Sequence, residues 1–188
     1  FIPSIRKVRR FAEPARDDAW GGSDFTFGDV TLRKPKHDNH ELLGKTKFAG
    51  CLGVMKDVKR NKYTQKANIV ADCSTDGKEV YKLKSTANTA NWWYDHRISL
   101  IDAKTFADYR TEYFKGGKHI KTIDRSWAPA NLDDPRASYW GYWYGKTNTT
   151  GHETMAFIPS TITKVNHKYK AKNLWSTRTL KKMPKKIK

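Results

Sequence analysis

Phe106-Ala107-Asp108-Tyr109-Arg110-Thr111-Glu112-Tyr113-Phe114, then Lys115-Gly116-Gly117-Lys118, then His119-Ile120-Lys121-Thr122-Ile123-Asp124-Arg125-Ser126-Trp127 is the stretch whose reading decides the fold. Side chains alternate across a strand, so the first segment places Tyr109, Thr111 and Tyr113 on one face and Arg110, Glu112 and Phe114 on the other. Adjacent glycines accept the positive φ of a tight hairpin turn without a steric cost. His119 to Trp127 is then the returning strand, and the unit is an antiparallel hairpin.

Working outward, Tyr139-Trp140-Gly141-Tyr142-Trp143-Tyr144 reads as the first strand of a second hairpin. It turns at Asn148-Thr149-Thr150-Gly151, and Glu153 to Pro159 runs back. Strict alternation puts Trp140, Tyr142 and Tyr144 on one face and Tyr139 and Trp143 on the other. Aromatic surface on both sides means that one face fills a core while the other needs a cover, by helices from elsewhere in the chain, or a ligand. Upstream, Val80-Tyr81-Lys82-Leu83 and Ile98-Ser99-Leu100-Ile101 read as strands, the second ending in the turn Asp102-Ala103-Lys104-Thr105. Lys34 to Glu41 reads as a polar loop feeding a strand at Leu42-Leu43-Gly44, and Met55 to Thr64 as an exposed basic loop. Asp24 to Val30 reads as resumed alternation, with Ser23 or Asp24 also suited to cap a short helix. The first ten residues fit a basic strand or a short helix equally well.

The chain has 188 residues, seven Trp, nine Tyr and eight Phe, and a formal net charge of +18. This length suits one domain with a real core. Many aromatics beside a strong positive field suit anionic partners: nucleic acid, an anionic membrane surface or an acidic protein. No run approaches the roughly 20 apolar residues of a membrane-spanning helix. The sequence opens on Phe1-Ile2-Pro3-Ser4 without an initiator Met or a charged-then-apolar leader, which reads as a processed or trimmed chain. Cys51 and Cys73 lack CxxC spacing and cannot alone make a four-ligand zinc site, which leaves a disulfide and two buried thiols as the open readings.

Catalytic patterns are missing. His152-Glu153-Thr154-Met155-Ala156 starts like HExxH but has Ala in place of the second metal ligand. His37, Asp38, His40 and Glu41 carry ligand chemistry without a further cluster to complete a site. There is no GxSxG elbow, P-loop or dinucleotide fingerprint. The expectation is a protein without enzymatic activity, metal or cofactor.

A resemblance adds to this reading. Val80-Tyr81-Lys82-Leu83, Trp92-Trp93-Tyr94-Asp95, Arg97-Ile98, Ile101-Asp102 with Thr105, Tyr109-Arg110 with Glu112-Tyr113, and Gly117 with Ile120-Lys121 occur in an order that resembles the outer-membrane lipoprotein-sorting-like proteins. These form part of a LolA-like superfamily that includes domains of unknown function. Upstream, Pro3-Ser4, Arg6 to Arg10, Gly22 to Thr26 and Asp29-Val30 look like the family's middle section, and Trp175 to Leu180 like its closing motif. The resemblance implies an α+β, mainly β fold: a curved antiparallel sheet, an incomplete barrel, with helices covering a concave face that holds lipid. Residues 1–180 are expected to form one such half-barrel domain, short of its first strands, and residues 181–188 a basic tail.

The function expected from both lines is a non-enzymatic periplasmic or outer-membrane-associated carrier of lipid or acylated protein. Tyr109, Tyr113, Trp140, Tyr142, Tyr144 and Phe157 are the expected ligand-binding wall. Lys181, Lys182, Lys185, Lys186 and Lys188 are the expected contact with an anionic membrane surface or envelope protein, against the alternative of a solvated tail. Two other classes stay open: an accessory or structural subunit of an envelope assembly, and a basic nucleic-acid-binding protein. The second is disfavoured because no RNP-type or zinc-finger pattern is present and the aromatic strands also carry Asp108, Glu112 and Glu153.

Overall fold

The structure, a computed structural model, describes residues 15–31, 33–58, 70–90, 92–134 and 136–159, together with 163, 176 and 178. The chain forms two compact units, residues 16–163 and residues 1–15 with 164–188. The sheet lies wholly in the first, which is the unit described below. The expected tail lysines, Lys181 to Lys188, lie outside the described residues, as do the first ten residues and most of the expected closing motif.

Seven antiparallel strands follow one another in sequence order: β1 Asp38–Lys47, β2 Glu79–Ala87, β3 His96–Asp102, β4 Asp108–Lys115, β5 Lys118–Pro129, β6 Ser138–Thr147 and β7 Glu153–Phe157. The outer strands β1 and β7 are not paired with each other, so the meander stays open and is not closed into a barrel. The β4–β5 turn is the pair Gly116 and Gly117, both at positive φ (56° and 73°), as a two-residue hairpin requires. Helix is scarce among the described residues of this unit: one turn, α1 (Phe27–Val30), and two 3-10 turns, Trp20–Gly22 and Pro35–His37.

Several elements differ from the sequence reading. β1 begins at Asp38 and takes in the polar, histidine-bearing stretch read as loop. As an edge strand it buries almost nothing, so it shows neither alternation nor apolar enrichment. Asp24 to Val30 is no strand: Thr26, rather than Ser23 or Asp24, caps α1. The Thr26 hydroxyl accepts from the Asp29 N–H (3.3 Å) and Asp29 Oδ2 accepts from the Thr26 N–H (2.8 Å), a reciprocal capping box.

Two register irregularities overturn the expected side-chain faces. Leu100 opposes Arg110 but Ile101 opposes Asp108, so Tyr109 is an extra residue in β4. Ser126 opposes Tyr142 but Trp127 opposes Trp140, so Gly141 is extra in β6. A bulge breaks the period-2 alternation beyond it. Tyr109 therefore parts from Tyr113, and Trp140 from Tyr142 and Tyr144.

Each face of the sheet has its own core. On the first, Phe48, Leu52, Val80, Tyr109, Tyr142 and Tyr144 pack together, with Met155 and Phe157 beside them. On the second, Phe25, Tyr94, Tyr113 and Ile123 pack with Trp92, Trp93 and Trp143.

The first face is covered by residues 48–55 and 71–78, which the Cys51–Cys73 disulfide joins. A buried fork fixes this cover to the sheet. Arg110 Nε and Nη2 each donate to Asp124 at 2.7 Å, and the Gly53 N–H donates to Asp124 Oδ2 at 2.6 Å. Only glycine fits at 53, since a Cβ there would come within 2.4 Å of the Tyr144 ring. The disulfide spans 22 residues, and closing a loop of that size in the unfolded chain is worth roughly 3 kcal/mol. Reduction with dithiothreitol is expected to lower the unfolding free energy by roughly 2–4 kcal/mol, read from urea titrations with and without reductant.

Candidate ligand-binding site

The second face is covered differently. Residues 16–30 run across it as an irregular segment held by polar clamps. Asp24 is the first clamp: its carboxylate accepts from Thr147 Oγ1 (2.5 Å) and Thr154 Oγ1 (2.6 Å) and lies 2.7 Å from His152 Nδ1. Asp29 is the second, bonded to Lys121 Nζ at 2.5 Å with both side chains buried. The Lys121 ammonium also lies 4.8 Å from the Tyr113 ring centroid. Burial alone would raise both carboxyls. The hydrogen bonds from Thr147, Thr154 and His152 at Asp24, and the Lys121 charge at Asp29, outweigh it and hold both below the ordinary aspartate value of 3.8.

These clamps seat Phe25 against the sheet where β6 carries Gly145. A Cβ at that glycine would meet the Phe25 ring at 2.8 Å. Phe25 makes an edge contact with Trp143 (5.7 Å between centroids), and Trp143 lies 5.6 Å from Trp140. The Arg125 guanidinium stacks on Trp143 at 4.4 Å and pairs with Asp108 at 2.8 Å, so the ring backs onto a charged layer.

Between the cover and β6–β7 a cavity of about 250 Å³ remains, lined by Trp20, Phe25, Val30, Trp140, Trp143 and Ala156. All six are apolar or aromatic. Trp20 stands at its edge, 43% exposed, on a turn whose Gly21 and Gly22 both have positive φ. The cavity is below the ~300–1,000 Å³ of a drug-sized ligand pocket, which suits an acyl chain end better than a whole lipid. The bulge at Gly141 is what brings Trp140 here.

The six expected wall residues are thus divided. Trp140 lines the cavity, and Tyr113 lies in the core of the same face. Tyr109, Tyr142, Tyr144 and Phe157 belong to the first face, under the disulfide-linked cover. Their hydroxyls are engaged: Tyr109 donates to Asp102 (2.7 Å), Tyr144 donates to Glu153 (2.6 Å), and Tyr142 accepts from the Asp72 N–H (3.1 Å). Burial raises the Tyr142 phenol to about 12. Sequence reasoning missed Trp20, Phe25, Val30, Trp143 and Ala156 as one site. Only Gly21-Gly22 beside Trp20 hinted at a loop able to present an aromatic.

The histidine-bearing stretch serves structure. Asp38 accepts from Arg33 (2.8 Å) and Arg97 (3.3 Å), and His40 contacts Ser85 Oγ and the Pro35 carbonyl, each at 2.9 Å. Among the described residues no helix is long and apolar enough to cross a membrane.

An open seven-stranded meander with one cavity between a loop cover and its last strands can be compared with known proteins. An outer-membrane lipoprotein-sorting protein domain from Vibrio parahaemolyticus matches over 96% of this chain and 64% of its own, at 15% identity and a TM-score of 0.60. A LolA superfamily protein from Nitrosomonas europaea matches over 88% of this chain and 65% of its own, at 14% identity and a TM-score of 0.51. The fold is similar to that of these two proteins. A DUF1329 family protein from Desulfovibrio piger matches over 82% of this chain and 53% of its own, at 14% identity and a TM-score of 0.55. The chain spans less than two thirds of the length of each of these three structures. By sequence, a family described as "-like: Uncharacterized protein" matches residues 1–56, and no curated protein matches.

The two clamps give a pH dependence. A depressed carboxylate stabilises the fold above its unfolded pKa and loses that contribution as pH falls through its folded value. For Asp24 and Asp29 the loss begins near the unfolded value of 3.8 and proceeds downward. Stability measured by urea unfolding is expected to fall below about pH 4 in the wild type. Lys121→Met, which leaves Asp29 buried without its partner, should cost about 3–5 kcal/mol at pH 7. That cost should shrink as Asp29 is protonated at low pH.

Proposed function

We propose that the chain is a non-enzymatic, carrier-like binding domain of the bacterial envelope, periplasmic or associated with the outer membrane. It holds an acyl chain of a lipid or acylated protein in the cavity of Trp20, Phe25, Val30, Trp140, Trp143 and Ala156. The observation that carries this reading is the cavity itself: an apolar, aromatic-lined space between a loop cover and the sheet of a LolA-like fold.

The arrangement suits reversible binding. Apolar surface gains about 25 cal/mol per Å² on leaving water, so each methylene entering the cavity contributes about 0.8 kcal/mol. Trp20, on its two-glycine turn, is the side chain placed to cover or release the chain end. Tyr113 supports the floor of the same face. Tyr109, Tyr142, Tyr144 and Phe157 keep the opposite cover in place. The charge of +18 favours approach to anionic lipid. Lys181, Lys182, Lys185, Lys186 and Lys188 are the proposed surface contact, at about 1 kcal/mol each.

A second reading, an accessory subunit of an envelope assembly, is favoured by the open edge of β1, where Leu42 and Leu43 are exposed.

Native mass spectrometry of the purified chain followed by organic extraction tests the first reading. About one acyl-bearing molecule per chain is expected. Trp140→Ala should weaken retention about tenfold or more, a loss of ~1.4 kcal/mol, with the circular dichroism unchanged. Tyr142→Ala should instead cost about 3–5 kcal/mol of stability and leave retention by the folded fraction intact. Empty, folded wild-type protein would shift the assignment to the accessory subunit.

A further inference from the structure

The part of the second face formed by β1, β2 and β3 lies beyond both cores. Ala87 packs in the second-face core, and side chains two apart on a regular strand share a face, so Leu83 and Tyr81 of β2 point to that same face. Leu42 stands opposite Leu83, and Ile101 opposite Tyr81. The Phe106 ring lies parallel to the Tyr81 ring, 6.5 Å away between centroids. These five side chains make one apolar surface, and none of them takes part in either core of the described residues. Phe106 is 62% exposed and Leu42 61%. We propose that this surface docks the protein on an anionic membrane.

Phe106 carries the argument. Its φ is 62°, in the left-handed region that a bulky side chain rarely adopts. A buried carboxylate holds it there. Asp102 Oδ1 accepts from the Lys104 N–H (2.9 Å) and the Thr105 N–H (2.7 Å), and Oδ2 accepts from the Tyr109 hydroxyl (2.7 Å). The Phe106 N–H donates to the Asp102 carbonyl at 3.1 Å, and the Asp102 N–H donates to the Ala107 carbonyl at 2.8 Å. Glycine would occupy this position without strain. The turn instead holds an aromatic ring out towards water. Backbone strain of this kind collects at functional positions, and a contiguous exposed apolar surface marks a place of contact.

The charges beside the surface select the partner. Lys45 and Lys47 stand opposite Tyr81 and Glu79, on the same face, and Lys45 Nζ lies 5.1 Å from the Tyr81 ring centroid. Lys45 pairs with Glu79 at 2.8 Å, with both side chains at least half exposed. Lys47 is exposed, as is Lys104, which precedes Phe106 in the turn. Three lysines against one glutamate leave the border of the surface positive, the sign of the whole chain at +18. Contact with a bilayer asks for apolar tips that enter the acyl boundary and ammonium groups that stay among anionic head groups, without a shape-matched groove. Leu42 and Phe106 supply the first, and Lys45, Lys47 and Lys104 the second. The inference does not depend on the acyl-chain reading, because lipid retained in the cavity and binding to a bilayer surface are separate measurements.

The test is co-sedimentation of the oxidised full chain with vesicles of equimolar phosphatidylglycerol and phosphatidylcholine, beside vesicles of phosphatidylcholine alone. Binding to the anionic vesicles is expected, weakened by salt and about tenfold weaker on the neutral ones. Phe106→Gly should stay folded, since relief of the positive-φ strain offsets the lost contact with Tyr81, and should bind anionic vesicles several-fold more weakly. Leu42→Ser changes an exposed edge position, leaves the turn untouched and should act in the same direction. The two together should lower the affinity about tenfold or more. If Phe106→Gly fails to fold, Leu42→Ser alone decides. Anionic-vesicle affinity unchanged in the folded variants would show that charge elsewhere on the chain does the binding, and would overturn the surface. Equal binding to both kinds of vesicle would overturn the choice of an anionic partner. A concentration-dependent dimer in sedimentation velocity that Leu42→Ser abolishes, with vesicle binding unaltered, would give the surface to a second copy of the chain instead.

Discussion

A single sheet whose strands carry aromatic side chains on both faces cannot be left half in water, and this constraint governs the rest of the molecule. Tyr142 and Tyr144 point to one side of β6 and Trp143 to the other, so each side needs its own cover. Among the described residues the covers are irregular segments, which bring backbone polar groups and charges with them. The fold answers with ion pairs under each cover: Asp124, which accepts from Arg110 and the Gly53 N–H, on one face, and Lys121 with Asp29 on the other. Such pairs add little against an apolar replacement, but removing one partner is costly, so they fix where each cover lies.

The difference between the covers explains where binding is proposed. The first is cross-linked by Cys51–Cys73 and packed onto the sheet by Phe48 and Leu52. The second is held at Asp24 and Asp29, with Phe25 on the sheet between them, and leaves open space towards Trp140 and Ala156. The incomplete second cover is what leaves the apolar cavity in which the ligand is proposed to lie.

Much of the meander was legible in the sequence. The Gly116-Gly117 turn and the alternating segments around it fix β4 and β5, and the aromatic run from Tyr139 fixes β6. The two bulges were not legible, because nothing local at Tyr109 or Gly141 distinguishes an extra residue from a paired one. Their effect is large, since each moves an aromatic ring to the opposite face. β1 was obscured for the opposite reason: an edge strand exposed on both sides carries polar residues and loses the period-2 signal. The site was the least legible part. It joins Trp20 and Phe25 to strands more than a hundred residues later through side-chain clamps that leave no spacing pattern.

The central claim is that the ligand lies on the face of Trp20, Trp140 and Trp143, not on the face of Tyr142 and Tyr144. A fatty acid bearing a photoreactive group near its chain end, cross-linked to the purified chain and mapped by peptide mass spectrometry, tests it directly. The account predicts adducts on Trp20, Trp140 or Ala156 that unlabelled fatty acid competes away. Adducts concentrated instead on the segment around Phe48 to Met55 or on Phe157, or labelling that competitor leaves unchanged, would contradict it.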